Sequence, residues 1–577
     1  MESGSPGDES GRLSDELRAQ AATWLSADPD ERDRSELSGL LADAGTSPEA
    51  AAEVADRFAG RLRFGTAGLR GAVGAGPNRM NHVTVTRATA ALARWLTDRG
   101  DSAAEAGVVI GHDARHRSDE FARQTSRVLA GAGIRVHALP GRMPTPFLAF
   151  AVPKLAAAAG VMITASHNPR ADNGYKLYLS DGAQVVPPAD TEIEALIDEV
   201  GPVAAVPLAA DDSPLISRPG GELEQAYLDA ICALTPPPRS AAWLRFVYTP
   251  LHGVAGRVAL RAFEQAGFPA PDVVAAQFEP DPEFPTVSFP NPEEPGTLDL
   301  ALAQARRSAA DLVIANDPDG DRLAVAVPDD DVPGGWRILT GDQLGALLGA
   351  FLLQRMSSDP VTKLDEQLFV STVVSGTLLS RIVSAAGAQY AQTLTGFKWI
   401  SRAADLREGI RFAFGYEEAL GYDVANVVKD KDGISAALAV LSLAAVARSV
   451  GESLLDAYSA LEISHGVHLT GQLTLPCTTT TEVMARLRAI APAELAGQPV
   501  TAITDYTGGS WDLPSADVLS YQMPGARLVI RPSGTEPKIK AYLEIVEPVS
   551  QGRISDARRD AAARIERLRE ATAQLLT

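Results

Sequence analysis

At 577 residues the chain is too long for one hydrophobic core and points to three or four domains. It is 45% hydrophobic and 22% charged, so each domain can bury a core, while 52 Lys+Arg against 73 Asp+Glu leave a formal net charge of −21. That acidity excludes a broad cationic face; nucleic acid and anionic membrane surfaces are not expected partners, and only a local cationic pocket is compatible.

Residues 1–10 are Gly, Ser, Pro and acid with nothing to bury, so disorder is expected there, and no apolar core of a signal peptide is seen. From Leu13 to about Gly60 apolar residues recur at helical spacing, and Thr46-Ser47-Pro48-Glu49 reads as a helix start. Short β-rich runs then alternate with Ala/Leu/Arg helical stretches: residues 106–111, 158–164, 244–249, 310–316 and 368–374. This alternation predicts α/β layers with mixed, mainly parallel sheets. Thr235-Pro236-Pro237-Pro238 reads as a linker, residues 329–335 as a turn-rich break, and Ser464-His465-Gly466 as a third break after one Ala/Leu-rich helix, 434–460. The expected organisation is a helical extension (1–60), three consecutive α/β domains (61–235, 236–335, 336–463) and a smaller α+β C-terminal domain (464–577). Cys232 and Cys477 make neither a disulfide framework nor a metal spacing. No run of about 18 apolar residues occurs, and a soluble, cytoplasmic protein is expected.

The polar clusters TASHNP, TPLHG, NDPDGDR, SGT, GYEEALG and RPSGTEP each follow a strand-like run. Ligands of open α/β sheets bind beyond the carboxyl ends of strands, so these loops are expected around one cleft. In NDPDGDR, Asp317, Asp319 and Asp321 alternate within five residues, a hard oxygen donor set suited to Mg²⁺. An EF-hand is excluded, because its sixth and twelfth positions would be Arg322 and Pro328. A solvated acidic turn is the alternative. With a cation bound, Arg322 would remain to hold an anionic ligand beside it. Ser166 lacks the G-x-S-x-G elbow of an α/β-hydrolase, and alone it reads equally as a capping serine in an Asn-Pro turn.

TASHNPRADNGYK, DPDGDR, YEEALG and RPSGTEPKIK occur in that order at domain-sized spacing, preceded by RFGTAGLRG at 63–71. Over roughly residues 60–577 the chain resembles the α-D-phosphohexomutase superfamily, most closely the branch of phosphoglucomutases and phosphopentomutases. The resemblance implies that Ser166 carries a phosphoryl group, with Mg²⁺ bound by Asp317, Asp319, Asp321 and a phosphate oxygen on Ser166. A sugar-phosphate hydroxyl would attack the phosphoserine, and a hexose 1,6-bisphosphate, both intermediate and activator, would return its other phosphate to Ser166. Metal and positioned cations suit a reaction that depends on charge neutralisation. By family position, Lys398, Lys176 and Arg70 are candidates for the proton transfer, the arginine better as an electrostatic stabiliser, and His167 orients the phosphoserine. Glu417 matches a sugar-hydroxyl contact, whereas Ala419 stands where many members have serine. Ser375 of the S-G-T loop joins the substrate contacts. Arg531, Ser533, Gly534 and Thr535 form a clamp for the non-reacting phosphate.

The expected activity is transfer of phosphate between C1 and C6 of an α-D-hexose phosphate, glucose 1-phosphate to glucose 6-phosphate first. Phosphopentomutase or phosphomannomutase activity are the alternatives. An aspartyl-phosphate phosphatase would need D-x-D-x-T, but Asp321 follows Asp319-Gly320. A sugar-phosphate-binding protein without turnover is the non-enzymatic rival. The sequence names no oligomeric state.

Overall fold

The computed structural model describes residues 13–65, 68–509, 513–534 and 537–576. The expected disorder at 1–10 and the predicted clamp residue Thr535 lie outside the described residues. The chain divides into two compact units: one holds residues 1–225, 251–254 and 279–291, the other the remainder.

The first unit opens with three helices whose starts follow from capping chemistry. Asp15–Ala27 is capped by Ser14, Glu31–Asp43 by Asp30, and Pro48–Arg57 by Ser47 with proline in the first turn. Next comes a six-stranded sheet, ordered Leu69–Ala72, Asp172–Leu179, Ala159–Ile163, Val108–His112, Val136–Arg142, Ile216–Ser217. The first two neighbour pairs are antiparallel and the other three parallel. Ala159–Ile163 is buried throughout, as a central strand covered on both faces must be. The strand after it returns antiparallel, so the intervening serine loop is a tight connection between sheet neighbours.

The second unit contains three further main sheets. One runs Trp336–Ile338, Leu323–Pro328, Leu312–Asn316, Phe246–Thr249, Asp272–Val273, antiparallel at its first two pairings and parallel at the others. The turn-rich segment 329–335 is a hairpin inside this sheet, so the sheet continues past residue 335; turn composition alone does not separate a hairpin from a linker. The next sheet is Gln389–Thr393, Gln367–Thr372, Arg411–Glu417, Gly421–Val424, with only its last pairing antiparallel. The last, Val467–Pro476, Lys538–Glu547, Ala526–Pro532, Leu519–Met523, Ala502–Asp505, is wholly antiparallel, and the helix Ile554–Leu576 packs on it. Three mixed α/β sheets and an antiparallel C-terminal sheet are the predicted fold class.

The single helix expected at 434–460 is two, Gly433–Ser449 and Leu454–His465, bent by 86°. Gly451 adopts φ +81, and Ser453 with Asp456 forms a capping box that starts the second helix. The apolar character of Gly433–Ser449 reflects burial on almost every face. Among the described residues no single helix is long and apolar enough to cross a membrane.

Candidate active-site loops

In the first unit, Ser166 lies three residues past the end of the strand Ala159–Ile163, 2% exposed, with φ +54. A left-handed non-glycine backbone costs roughly 1–3 kcal/mol and persists only where the surroundings hold it. Here the Ser166 N–H donates to Thr164 Oγ1 at 2.8 Å, and its carbonyl accepts from the buried Arg115 at 2.8 Å. The hydroxyl lies 3.2 Å from His167 Nδ1.

Antiparallel pairing sets Arg70 opposite Gly174, and Lys176 shares that sheet face because it is two residues on. The guanidinium of Arg70 donates to Asn168 Oδ1 at 3.2 Å, inside the serine loop, and Lys176 is fully buried. Two glycines make this approach possible. A Cβ at Gly68, whose φ is +86, would fall 2.3 Å from the Tyr175 carbonyl; one at Gly174 would fall 2.5 Å from that of Thr164. Arg70 and Lys176 thus lie on the two neighbouring strands that adjoin the loop of Ser166 and His167.

In the second unit, the antiparallel strands Leu312–Asn316 and Leu323–Pro328 bring their connecting turn to a buried point. Gly320 takes φ +75, its N–H bonds the Asp317 carbonyl at 2.9 Å, and the Arg322 N–H bonds Asp317 Oδ1 at 2.9 Å. Asp317, Asp319 and Asp321 are buried, and each offers a carboxylate oxygen within 4.8 Å of the others. Burial first, then repulsion from Asp319 and Asp321, pushes the Asp317 carboxyl well above its ordinary range. Three hard oxygens that crowd and repel one another fit a divalent cation, which removes both penalties.

Lys431 sits 3.5 Å from Asp321, 3.6 Å from Asp430 and 4.0 Å from Glu417. Burial opposes its charge, but these three carboxylates outweigh burial and raise its pKa. It ties the aspartate loop to the predicted sugar loop. Arg322 pairs with Glu293 at 3.3 Å, and its backbone bridges to Gly421, the last residue of that loop. In the sugar loop, burial raises the pKa of Glu417. Glu418 is pushed up to about 7 by burial and then by Glu417 and Asp342, and accepts from Thr372 Oγ1 and Ser375 Oγ at 3.2 and 3.3 Å. Ser375 is fully buried, its hydroxyl engaged by Thr372 and Glu418. Ala419 follows Glu418 in the turn between Arg411–Glu417 and Gly421–Val424. Lys398 lies on the short helix Phe397–Ile400, buried, its ammonium 5.5 Å from the Trp399 ring centre.

The C-terminal sheet presents one face through alternate residues. Arg527 and Glu544 form a register pair, joined at 3.1 Å, and hold the S-G-T loop: Arg527 donates to the carbonyls of Val373 and Ser375, while Glu544 accepts from the Thr377 N–H at 2.6 Å. Four residues along that face, Arg531 stands opposite Lys540, with Tyr542 accepting from the guanidinium at 3.3 Å. Burial, then Arg531 and Lys538, lowers the Lys540 pKa, as expected of cations crowded for an anion. Ser533 N–H bonds the Lys538 carbonyl at 2.8 Å beside Gly534.

Sequence reasoning missed Arg115, Lys431, Glu418, Lys538 and Lys540. The lysines of PKIK carried a signal, since alternate positions on a strand share a face; Lys431 and Arg115 did not, because Asp321 and the serine-loop carbonyls that they respectively meet lie far away in sequence.

The family models "Phosphoglucomutase/phosphomannomutase, alpha/beta/alpha domain" I, II and III match residues 61–203, 225–331 and 340–461. A Haemophilus influenzae protein named "Probable phosphomannomutase" is 41% identical over 473 residues, 81% of this chain and 93% of its own. The human phosphopentomutase is 35% identical over 92% of both chains, and the human glucose 1,6-bisphosphate synthase is 34% identical over 92% of this chain and 90% of its own. Among solved structures, the phosphoglucomutase parafusin of Paramecium, in an open form, superposes with a TM-score of 0.66 at 18% identity, covering 89% of this chain and 95% of its own. At that identity the likeness speaks for the fold alone.

Proposed function

The chain belongs to the phosphoglucomutase/phosphomannomutase family of the α-D-phosphohexomutase superfamily, and on that premise we propose how it works and on which sugar. It is a phosphosugar mutase, an intramolecular phosphotransferase acting on small sugar phosphates. Our reading is that Ser166 is the phosphoryl carrier and that the preferred pair is glucose 1-phosphate and glucose 6-phosphate.

The observation that carries the first part is the strained, buried and braced serine. Its hydroxyl is held beside His167 on a loop reached by Arg70, which gives a developing phosphate charge a fixed cationic surrounding. Ser166 Oγ is then the leaving atom when the phosphoryl group departs to a sugar hydroxyl, and the attacking atom when a bisphosphate returns the second one. The P–O bond to serine breaks as the P–O bond to sugar forms; the sugar hydroxyl proton passes to a basic group, for which Lys176 and Lys398 remain the candidates, and the departing serine oxygen takes up a proton from a general acid. Asp317, Asp319 and Asp321 would hold Mg²⁺, which when bound neutralises charge on the transferring phosphoryl group. Arg531, Lys540, Ser533 and Gly534, with Thr535, would grip the non-reacting phosphate. Ser375 contributes by holding Glu418, and Arg322 by its charge beside the aspartates.

For the sugar, Ala419 removes the serine hydroxyl, which suits a pentose with fewer hydroxyls, whereas the Glu417 carboxylate can accept from a sugar hydroxyl and supports a hexose. So does similarity to a protein named as a glucose 1,6-bisphosphate synthase, whereas the relative named phosphopentomutase favours ribose or deoxyribose phosphate. Incubation with glucose 1,6-bisphosphate and magnesium should add one phosphate to the intact mass of the protein and none to Ser166→Ala. Coupled assays on glucose, mannose, ribose and deoxyribose 1-phosphates should give glucose the highest kcat/KM. A pentose ahead by tenfold or more (about 1.4 kcal/mol) would sink the hexose assignment, and turnover without a phosphorylated serine would sink the mechanism.

A further inference from the structure

Arg115 is 3% exposed and lies on the loop after the strand Val108–His112. Nη1 donates to the carbonyls of Pro169 at 2.7 Å and Asp172 at 3.0 Å; Nη2 donates to those of Ser166 at 2.8 Å and Asn168 at 2.5 Å. Four carbonyls of the serine loop thus converge on one planar fork, a geometry that a lysine ammonium cannot match. Asp113 Oδ2 stands 3.6 Å from Nε, and the ring of Phe284 lies 5.2 Å from the guanidinium carbon.

The loop that carries Arg115 is itself fixed on several sides. Asp113 Oδ1 accepts from the Arg115 N–H at 2.9 Å and from the Ser118 hydroxyl at 2.6 Å. The Asn173 side chain donates to Ser118 Oγ and to the His116 carbonyl at 3.0 and 2.9 Å. Arg117, with φ +64, pairs with Asp30 and Asp33 of the helical extension at 2.5 and 2.7 Å. Arg115 therefore grips the serine loop from a rigid base.

We propose that Arg115 is a positioning residue for phosphoryl transfer: by holding the carbonyls from Ser166 to Asp172 it keeps Ser166 in its left-handed backbone and its Oγ aimed for reaction. The inference rests on Ser166 being the phosphoryl carrier. Both Nη atoms of Arg115 are directed to backbone carbonyls of the serine loop, so its action runs through the serine. Its loss moves the rate and leaves substrate binding alone.

The test compares the wild type with Arg115→Lys and Arg115→Gln, first by thermal melting, then by Ser166 phosphorylation from glucose 1,6-bisphosphate with magnesium, followed by intact mass. Steady-state kinetics on glucose 1-phosphate complete the set. A wild type that takes no phosphate overturns the carrier reading before Arg115 is at issue. Given wild-type phosphorylation, folded variants should lose about 100-fold in phosphorylation rate and kcat, the scale of a small misplacement of reacting atoms, with KM within about threefold. A folded variant with kcat within about threefold of wild type, or one whose loss lies in KM, overturns the proposal. So does failure of both variants to fold, which would make Arg115 a folding residue only.

Discussion

The serine loop and the aspartate loop both sit at strand ends, but they are stabilised in opposite ways. The serine loop is complete by itself: Arg115 caps four of its carbonyls, Thr164 accepts the Ser166 N–H, and Asn168 receives Arg70. Its strain lies in the backbone, at φ +54, and is met by hydrogen bonds already in place. The aspartate loop has an ordinary hydrogen-bonded turn but an electrostatic excess, three buried carboxylates within 4.8 Å. One loop is preorganised; the other stores repulsion that a cation would relieve. A relay that must present the same nucleophile repeatedly gains from the first design, and a metal site from the second.

The sharpest test of this contrast is Asp319→Asn. Activity should fall by about 10³-fold with weakened magnesium dependence, while the metal-free protein becomes more stable by about 1–2 kcal/mol as repulsion is relieved. Melting with and without magnesium measures both effects, and a metal-free variant less stable than wild type would break the comparison. Gly174→Ala probes the other loop, where a Cβ would meet the carbonyls of Thr164 and Leu69 at 2.5 and 2.8 Å. Here the expected loss is about 2 kcal/mol, equal in the presence and absence of magnesium, read from urea melts. A loss that magnesium repairs would mean the serine loop is not complete without the cation.

The smallest effect concerns the neighbouring loop 415–421, which shares the aspartate loop's crowding. Glu418 ionises near 7 in the folded protein against an ordinary 4.5. The folded state therefore keeps a proton that the unfolded chain has released, so stability falls as pH rises from about 4.5 to 7 and levels off above. Glu418→Gln should flatten that part of the melting-temperature profile by a few degrees. An unchanged difference between pH 5 and pH 7 would show that Glu418 titrates normally.

Much of this was legible in the sequence because it is local. Asp317, Asp319 and Asp321 are spaced within one turn, so their convergence follows from the turn itself; Ser166 and His167 are adjacent; RPSGTEP links two strands that pair directly. What was not legible is reach. Arg115 and Ser166 are 51 residues apart and meet through parallel pairing of Val108–His112 with Ala159–Ile163. Lys431 meets Asp321 where a backbone bridge joins Arg322, after the aspartate turn, to Gly421 of the third sheet, and Gly451 broke a helix that composition drew as continuous.

The sequence by itself determined the alternation of strands and helices, the donor chemistry of each loop and the family to which those loops belong. It did so because periodicity, turn residues and short motifs act over a few residues. Tertiary structure alone decided that Ser166 is held by a distant guanidinium in a left-handed backbone, that Ser375 is buried on Glu418, and that Lys540 stands opposite Arg531. Those facts depend on strand order and register, which are set by how whole sheets bury their faces.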